Sequence, residues 1–166
     1  MSSNQPNRRD VLQAFAAGLA ALSLSGASAV AEEKNEQGVP LRPLGKTGVK
    51  VSVLGLGGHH SARSKDEKDS LRLIQRAVDE GVTFLDNAWD YHNGGAEERM
   101  GKALEEGKIR DKVFLMTKVC GRTAKEAQSN LEDSLRRLRT DHIDLWQFHE
   151  INYDNDPDRI FAPDAA

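Results

Sequence analysis

This sequence predicts an α/β fold built from strand–helix units and closed as a barrel rather than spread as an open sheet. Three observations carry the prediction. Short apolar runs begin near Val51, Thr83, Val113 and Ile143, at spacings of 32, 30 and 30 residues. Segments with helical periodicity lie between them, and units of this size build parallel sheets. The stretch after the first run reads GLGGHHS and lacks the G-x-G-x-x-G of an open dinucleotide-binding sheet. The remaining closure is a (β/α)8 barrel, of which the first four strand–helix repeats are present.

The amino terminus stands apart from the repeats. Arg8 and Arg9 precede the uncharged run VLQAFAAGLAALSLSGASAVA, which ends in small residues before Glu32 and Glu33. Paired arginines, a weakly apolar segment and a small-residue cleavage pattern read as a signal over residues 1–31 for the twin-arginine export machinery. Its Ser and Gly content is wrong for a membrane span. The mature chain is therefore expected in the periplasm or exported, with no membrane association. Residues 32–40 are polar and read as a linker, which leaves 41–166 for the partial barrel.

The elements follow in order. LRPLGKTGVKVS is a hairpin turning at Gly45 and Gly48. It leads into a first buried strand, Val51 to Leu56, ended by Gly57 and Gly58. SKDEKDSLRLIQRAVDEG is a helix with Ser64 and Glu67 at capping-box spacing. Leu71, Ile74 and Val78 share its inner face, and Gly81 terminates it. VTFLDNA is the second strand. AEERMGKALEEG is a helix with Met100, Ala103 and Leu104 inward and Gly107 at its end. KVFLMTKV is the third strand. TAKEAQSNLEDSLRRLRT is a helix, with Thr123 and Glu126 as a capping box and Ala127, Leu131, Leu135 and Leu138 as its stripe. HIDLWQFHE is the fourth strand.

Composition narrows the function classes. Net charge is −3 with both signs interspersed, so no basic stripe suggests nucleic-acid binding. Cys120 is the single cysteine, so no internal disulfide can form.

Strand residues alternate between faces. Phe84 and Asp86 share one face. Phe114, Met116 and Lys118 share another, and Leu145, Gln147 and His149 a third. Each strand thus ends an apolar face with a polar group, and in a barrel the carboxyl ends of the strands form the mouth. Asp86, Lys118 and His149 converge there, and Tyr91 lies in the loop beyond the second strand. A tyrosine hydroxyl is ordinarily a poor acid at neutral pH. An ammonium beside it favours the phenolate, and a carboxylate keeps that ammonium in place. An imidazole across the mouth can bond a substrate oxygen. Such a set makes a general acid aimed at an oxygen that gains charge, as in carbonyl reduction.

The segments FLDNAWDY…AEERMGKAL, VFLMTKV and SLRRLRTDHIDLWQFHE, with the hairpin before them, resemble the aldo-keto reductases from about Leu41 to the end. The resemblance implies a (β/α)8 oxidoreductase that reduces aldehydes or ketones with NAD(P)H, NADPH being preferred over NADH, and acts on a small-molecule carbonyl substrate. It implies Tyr91 as proton donor, Lys118 and Asp86 as the groups that tune it, and His149 as the group that orients the carbonyl. Gly57, Gly58, His59 and Asp86 are implied to lie beside the cofactor, and no metal is implied.

Asn87 stands where that family usually has Thr, and His92 where Gly usually follows the tyrosine. Both are expected to alter the pocket wall. A barrel of this kind takes about 250 residues, and 135 remain of the 166 after the signal is removed. The chain therefore reads as an amino-terminal half, with open sheet edges that invite self-association and no activity alone. Two rival readings stand beside the reductase. One is a metal-dependent hydrolase using His59, His60, His92 and His149. The other is a non-catalytic relative acting as a binding or regulatory module. Cys120 reads as a small packed residue or a redox-sensitive thiol. Trp89 reads as part of a substrate pocket, and Trp146 as packing outward against a helix.

Overall fold

The computed structural model describes residues 33–163 and 165. The expected export signal lies outside the described residues. No helix among the described residues is long and apolar enough to cross a membrane.

Strands β1 (Leu41–Pro43) and β2 (Lys50–Ser52) form the antiparallel hairpin, with Gly45 and Gly48 at φ 56° and 80° in its turn. Residues 33–40, expected as a linker, are tied to their surroundings: Glu33 pairs with Lys50 of the hairpin at 2.5 Å, Lys34 bridges Pro40, and Asn35 Nδ2 donates to Gly81 O at 2.7 Å.

The first parallel strand is not Val51–Leu56. Val51 and Ser52 finish the hairpin, and β3 is only Gly55–Gly57. Ser52 and Thr83 explain the break. Ser52 N donates to Thr83 Oγ1 at 2.9 Å, Thr83 N donates to Ser52 Oγ at 2.8 Å, and Ser52 Oγ donates to Leu54 O at 2.6 Å. These side-chain bonds take the place of ladder bonds and turn the chain. The later strands are shorter than expected: β4 is Phe84–Asp86, β5 Phe114–Val119 and β6 Leu145–Phe148.

Strands β3 to β6 form one parallel sheet in chain order. A doubly wound sheet would reverse its order at a switch point, and this one does not. The helices are α1 (Gly58–Ser61), α2 (Glu67–Asp79), α3 (Gly95–Gly107), α4 (Ala124–Leu138) and α5 (Asp156–Ile160). Helix α2 packs on α3, and α3 on α4. The core lies on one face of the sheet, where Leu85 and Leu115 are fully buried against Ile74, Met100, Leu104 and Leu138. Burying each such side chain contributes about 1.5–3 kcal/mol. Their neighbours Phe84, Phe114 and Leu145, on the other face, are only half-buried. The fold is α/β of the barrel type: a curved wall of four strands with its helices outside.

The Thr123–Glu126 capping box is formed at α4. At α2 the cap is Asp66, whose side chain accepts from Lys68 N at 2.9 Å, and not Ser64. Helix α3 runs through Gly107, and Lys108 takes the left-handed cap at φ 51°. On α4, Asn130 and Ser134 are buried alongside Ala127 and Leu138, while Leu131 and Leu135 are half-buried. The small residues belong to a close helix contact. A Cβ on Gly101 of α3 would fall 2.1 Å from Arg137 O of α4, so only glycine permits this approach.

Candidate active site

The register of the sheet sets the first two polar groups. Gly57 pairs with Asp86, and Asp86 with Met116, which puts Asp86 at the carboxyl end of β4. Lys118 lies two residues further along β5, on the same face. Its Nζ forms an ion pair with Asp86 Oδ1 and donates to Asn87 O at 2.7 Å. The β4–β5 ladder continues past the strand, because Asn87 N donates to Met116 O at 2.8 Å and Trp89 N to Lys118 O at 3.1 Å. The loop carrying Tyr91 therefore leaves the sheet already aligned with β5.

Tyr91 opens a single 3-10 turn, Tyr91–Gly94. Lys118 Nζ lies 5.1 Å from the centroid of its ring. The His149 ring stands 5.3 Å away at 80° on one side, and the His59 ring 5.2 Å away at 79° on another. His149 follows β6, and its N donates to Val119 O at 2.9 Å. Its Nδ1 lies 3.1 Å from Asp90 Oδ1 and 3.7 Å from Cys120 Sγ. Asp86, Lys118 and His149 thus come together at one end of the sheet, as the alternation of strand faces predicts, and Tyr91 joins them from the loop.

The loop-borne part is held by groups that sequence reasoning passed over. Arg137 of α4 donates to Trp89 O at 2.9 Å and to Glu97 Oε2 at 3.3 Å, and its guanidinium lies 5.3 Å from the Trp89 ring. Trp89 Nε1 donates to Asp133 Oδ2 at 3.2 Å. Glu97 is fully buried and accepts from Thr117 Oγ1 at 2.7 Å. Burial pushes the Glu97 carboxyl above the ordinary glutamate range, against the pull of Thr117, Ser134 and Arg137. Gly94 has φ 90°, and a Cβ there would fall 2.4 Å from Arg137 Cζ. The inward position of Glu97 was legible, since it sits one turn before Met100 and Gly101. Its partner on α4 had no signal in the sequence.

Other expectations shift. Gly57 faces open space beside Asp86, but Gly58 turns inward, where a Cβ would meet the Asn87 side chain at 2.5 Å. Gly58 is thus a packing glycine. Asn87 is fully buried rather than part of a pocket wall; its Nδ2 lies 3.4 Å from Met100 Sδ, and its Oδ1 accepts from Ala88 N at 3.0 Å. His92 adopts φ 53°, the left-handed conformation that glycine usually supplies. It stacks on His59 at 4.7 Å, with Nε2 at 2.8 Å from His59 O. His59 and His60 lie in the short helix α1, not on a strand.

A cavity of about 510 Å³ opens beside this cluster, lined in part by Trp89, Cys120, Arg122, His149 and Tyr153. Trp89 lines it, as expected of a pocket residue. Trp146 pairs in register with Thr117 and so faces the helices, as expected. Arg122 donates to His149 O at 2.7 Å and pairs with the buried Asp156 at 3.3 Å. The N–H of Tyr153, and then Arg122, hold the Asp156 carboxyl below the ordinary aspartate range. Burial and the neighbouring Asp90 push the Cys120 thiol up to about 11, so it is a protonated thiol at neutral pH.

The comparisons with known proteins bear on the family. The description "Aldo/keto reductase family" matches residues 53–163. The aldo-keto reductase YhdN of Bacillus subtilis is 40% identical over 117 residues, which cover 62% of this chain and 35% of that protein. The holo form of an aldo-keto reductase from Bacillus halodurans superposes with a TM-score of 0.61 at 32% identity, covering 71% of this chain and 43% of that one. An aldo/keto reductase from Klebsiella pneumoniae in complex with NADP and acetate gives a TM-score of 0.56 at 31% identity, covering 61% and 36%. The chain spans between a third and a half of the length of these relatives. A matched family segment of this extent, four parallel strand–helix repeats and the convergent polar groups lead to one conclusion: the chain is a member of the aldo/keto reductase family of oxidoreductases.

Proposed function

We propose that this chain contributes the proton-donor side of an NADPH-dependent reduction of aldehydes or ketones to alcohols. The observation that carries the reading is the position of Tyr91, whose ring lies 5.1 Å from the Lys118 ammonium and 5.3 Å from the His149 ring. Tyr91 gives its hydroxyl proton to the carbonyl oxygen. Lys118 stabilises the phenolate that remains, and Asp86 holds Lys118 in place. His149 bonds the carbonyl oxygen and fixes its angle of approach. A bound NADPH supplies the hydride to the carbonyl carbon. The open space at Gly57, the partly exposed Asp86 carboxylate and the exposed His59 suit a flat ring lying over the end of β3. Those three residues would hold it, with Gly58 keeping the backbone low beneath. The NADP carried by the Klebsiella pneumoniae relative supports NADPH over NADH.

NADPH titration followed by nicotinamide fluorescence, together with turnover of a model aldehyde, tests this reading. In a protein extended to the full length of its relatives, saturable binding and reduction that Tyr91→Phe abolishes are expected. Absence of NADPH binding overturns the reading. Binding without turnover favours a non-catalytic module instead.

Arg8 and Arg9 ahead of a weakly apolar run support export by the twin-arginine route to the periplasm. Replacing both by lysine should hold the protein in the cytoplasm. Unchanged periplasmic yield would remove the proposal.

A further inference from the structure

We propose that Asp90, Cys120 and His149 form a binding site for a zinc-class divalent cation at the mouth of the strand wall. The three donors come from three separate loops. Asp90 follows β4, Cys120 comes directly after β5, and His149 comes directly after β6. Their donor atoms all lie within 4.8 Å of one another, with Asp90 Oδ1 at 3.1 Å and Cys120 Sγ at 3.7 Å from His149 Nδ1. Ligands bound tetrahedrally to zinc at its usual N, O and S distances stand about 3.3–3.6 Å apart. The two separations from His149 bracket that range, and the third side, between Asp90 and Cys120, is within 4.8 Å, so small side-chain shifts bring the three donors around one ion.

The chain segments that carry the three donors are held by hydrogen bonds of their own. His149 N is bonded to Val119 O at 2.9 Å, and Arg122 holds His149 O at 2.7 Å. Asn130 Oδ1 accepts from Cys120 N at 3.2 Å and from Gly121 N at 3.0 Å. Asp90 O accepts from Asn93 N at 2.9 Å.

The donor set names the ion class. Magnesium and calcium take oxygen ligands, whereas one sulfur, one imidazole nitrogen and one carboxylate suit zinc or cobalt. A thiolate and a carboxylate balance the charge of the divalent ion. The nearest cations do not oppose it freely, because Arg122 is paired with Asp156 and Lys118 with Asp86. The adjoining cavity of about 510 Å³ leaves room for water as a fourth ligand. On binding, Cys120 releases its proton to solvent and His149 coordinates through Nδ1 with its proton on Nε2; nothing is oxidised or reduced. The four histidines weighed for a metal centre are therefore not the set. His149 alone belongs to it, with partners of other types. The site stands independently of the reductase reading. If that reading holds as well, the ion competes with the carbonyl for the space beside Tyr91.

The test uses the full chain, stripped with chelator and titrated with zinc chloride by calorimetry, with magnesium chloride as the control. Cobalt(II) titration reads the thiolate directly, through its sulfur-to-cobalt charge-transfer band. One zinc per chain, no magnesium uptake and a cobalt–thiolate band are expected. Cys120→Ser should abolish the band, and both Cys120→Ser and Asp90→Asn should weaken zinc at least about tenfold, the loss that even a supporting contact causes. Should Cys120→Ser lose its native circular dichroism, the exposed Asp90→Asn decides. No zinc uptake, unchanged affinity in the folded variants, or a cobalt spectrum without the thiolate band overturns the site. So does zinc that survives in both variants and is lost in His59→Asn. Because binding rather than turnover is read, failure here and failure of the reductase reading are separate results.

Discussion

Asp86 and Lys118 sit on strands, Tyr91 and Asp90 on a loop, and different physics holds the two pairs. The strand pair is set by ladder register and closes on itself as an ion pair. Its further support there is the bond from Lys118 Nζ to Asn87 O at 2.7 Å, at the same strand end. The loop pair is fixed from behind, by Arg137 of α4 and Glu97 of α3, through Trp89. That support places a fully buried carboxylate in the core, which costs desolvation and is tolerated only while its partners remain. A loop can therefore be as well positioned as a strand, at the expense of a buried polar network.

The largest expected effect lies on the loop half. In a protein extended to the full length of its relatives, Tyr91→Phe should lower NADPH-dependent carbonyl reduction by about 10²–10⁴-fold, the usual loss for a general acid. NADPH binding, read by fluorescence titration, should be unchanged because the hydroxyl makes no cofactor contact in the proposed arrangement. A variant with near wild-type kcat would take the tyrosine out of the mechanism and leave the strand pair as the working half.

Next comes the support itself. Arg137→Ala removes a guanidinium that touches Trp89 O, Glu97 and Asp133. Breaking a buried pair usually costs about 3–5 kcal/mol. About 3 kcal/mol is expected here, because Glu97 can take up a proton once its partner is gone. Urea unfolding measures it. A loss under about 0.5 kcal/mol, the size of an ordinary surface change, would mean that the loop holds its shape without α4.

Gly94→Ala probes the same contact from the other side. The residue sits at φ 90°, and a Cβ would meet Arg137 Cζ at 2.4 Å. Strain in the left-handed region and displacement of Arg137 together should cost about 2 kcal/mol. The guanidinium is the end of a flexible side chain, which keeps the effect below that of Arg137→Ala. Equal stability of variant and wild type would show that Arg137 is not pinned.

These two halves also differ in how much of them could be read in the sequence. The strand half was legible, because face alternation at a strand end depends on neighbours in the chain, and it put Asp86, Lys118 and His149 together correctly. The repeat period gave the parallel order for the same reason. What escaped were contacts between distant elements. Arg137 reads as one more charge in SLRRLRT, and only the close α3–α4 approach at Gly101 turns it inward. The first strand was misplaced because Ser52 and Thr83 bond across 31 positions, which no local pattern records. Asn87 was placed in the pocket wall from its position in the family pattern, which does not show the close approach of Gly58 that buries its side chain. Asp90 was passed over although it adjoins Tyr91, since its relation to His149 exists only once β4 and β6 share a sheet.

The smallest expected effect concerns the charge inside the support. Burial raises the Glu97 carboxyl above its ordinary range. A carboxyl whose folded pKa exceeds its unfolded value binds more protons in the folded state, so its stabilisation is complete below the unfolded pKa and falls as pH rises through the folded one. Wild type should therefore lose stability relative to Glu97→Gln as pH climbs from the ordinary glutamate range toward neutrality. Glutamine keeps an acceptor for Thr117 and Arg137 without the charge. Urea midpoints for the two proteins at several values between about pH 4 and 8 isolate this single slope. If wild type instead gains on the glutamine variant as pH rises, the pull of Arg137 exceeds the cost of burial. The loop half would then be held as the strand half is, by an ion pair that stabilises outright.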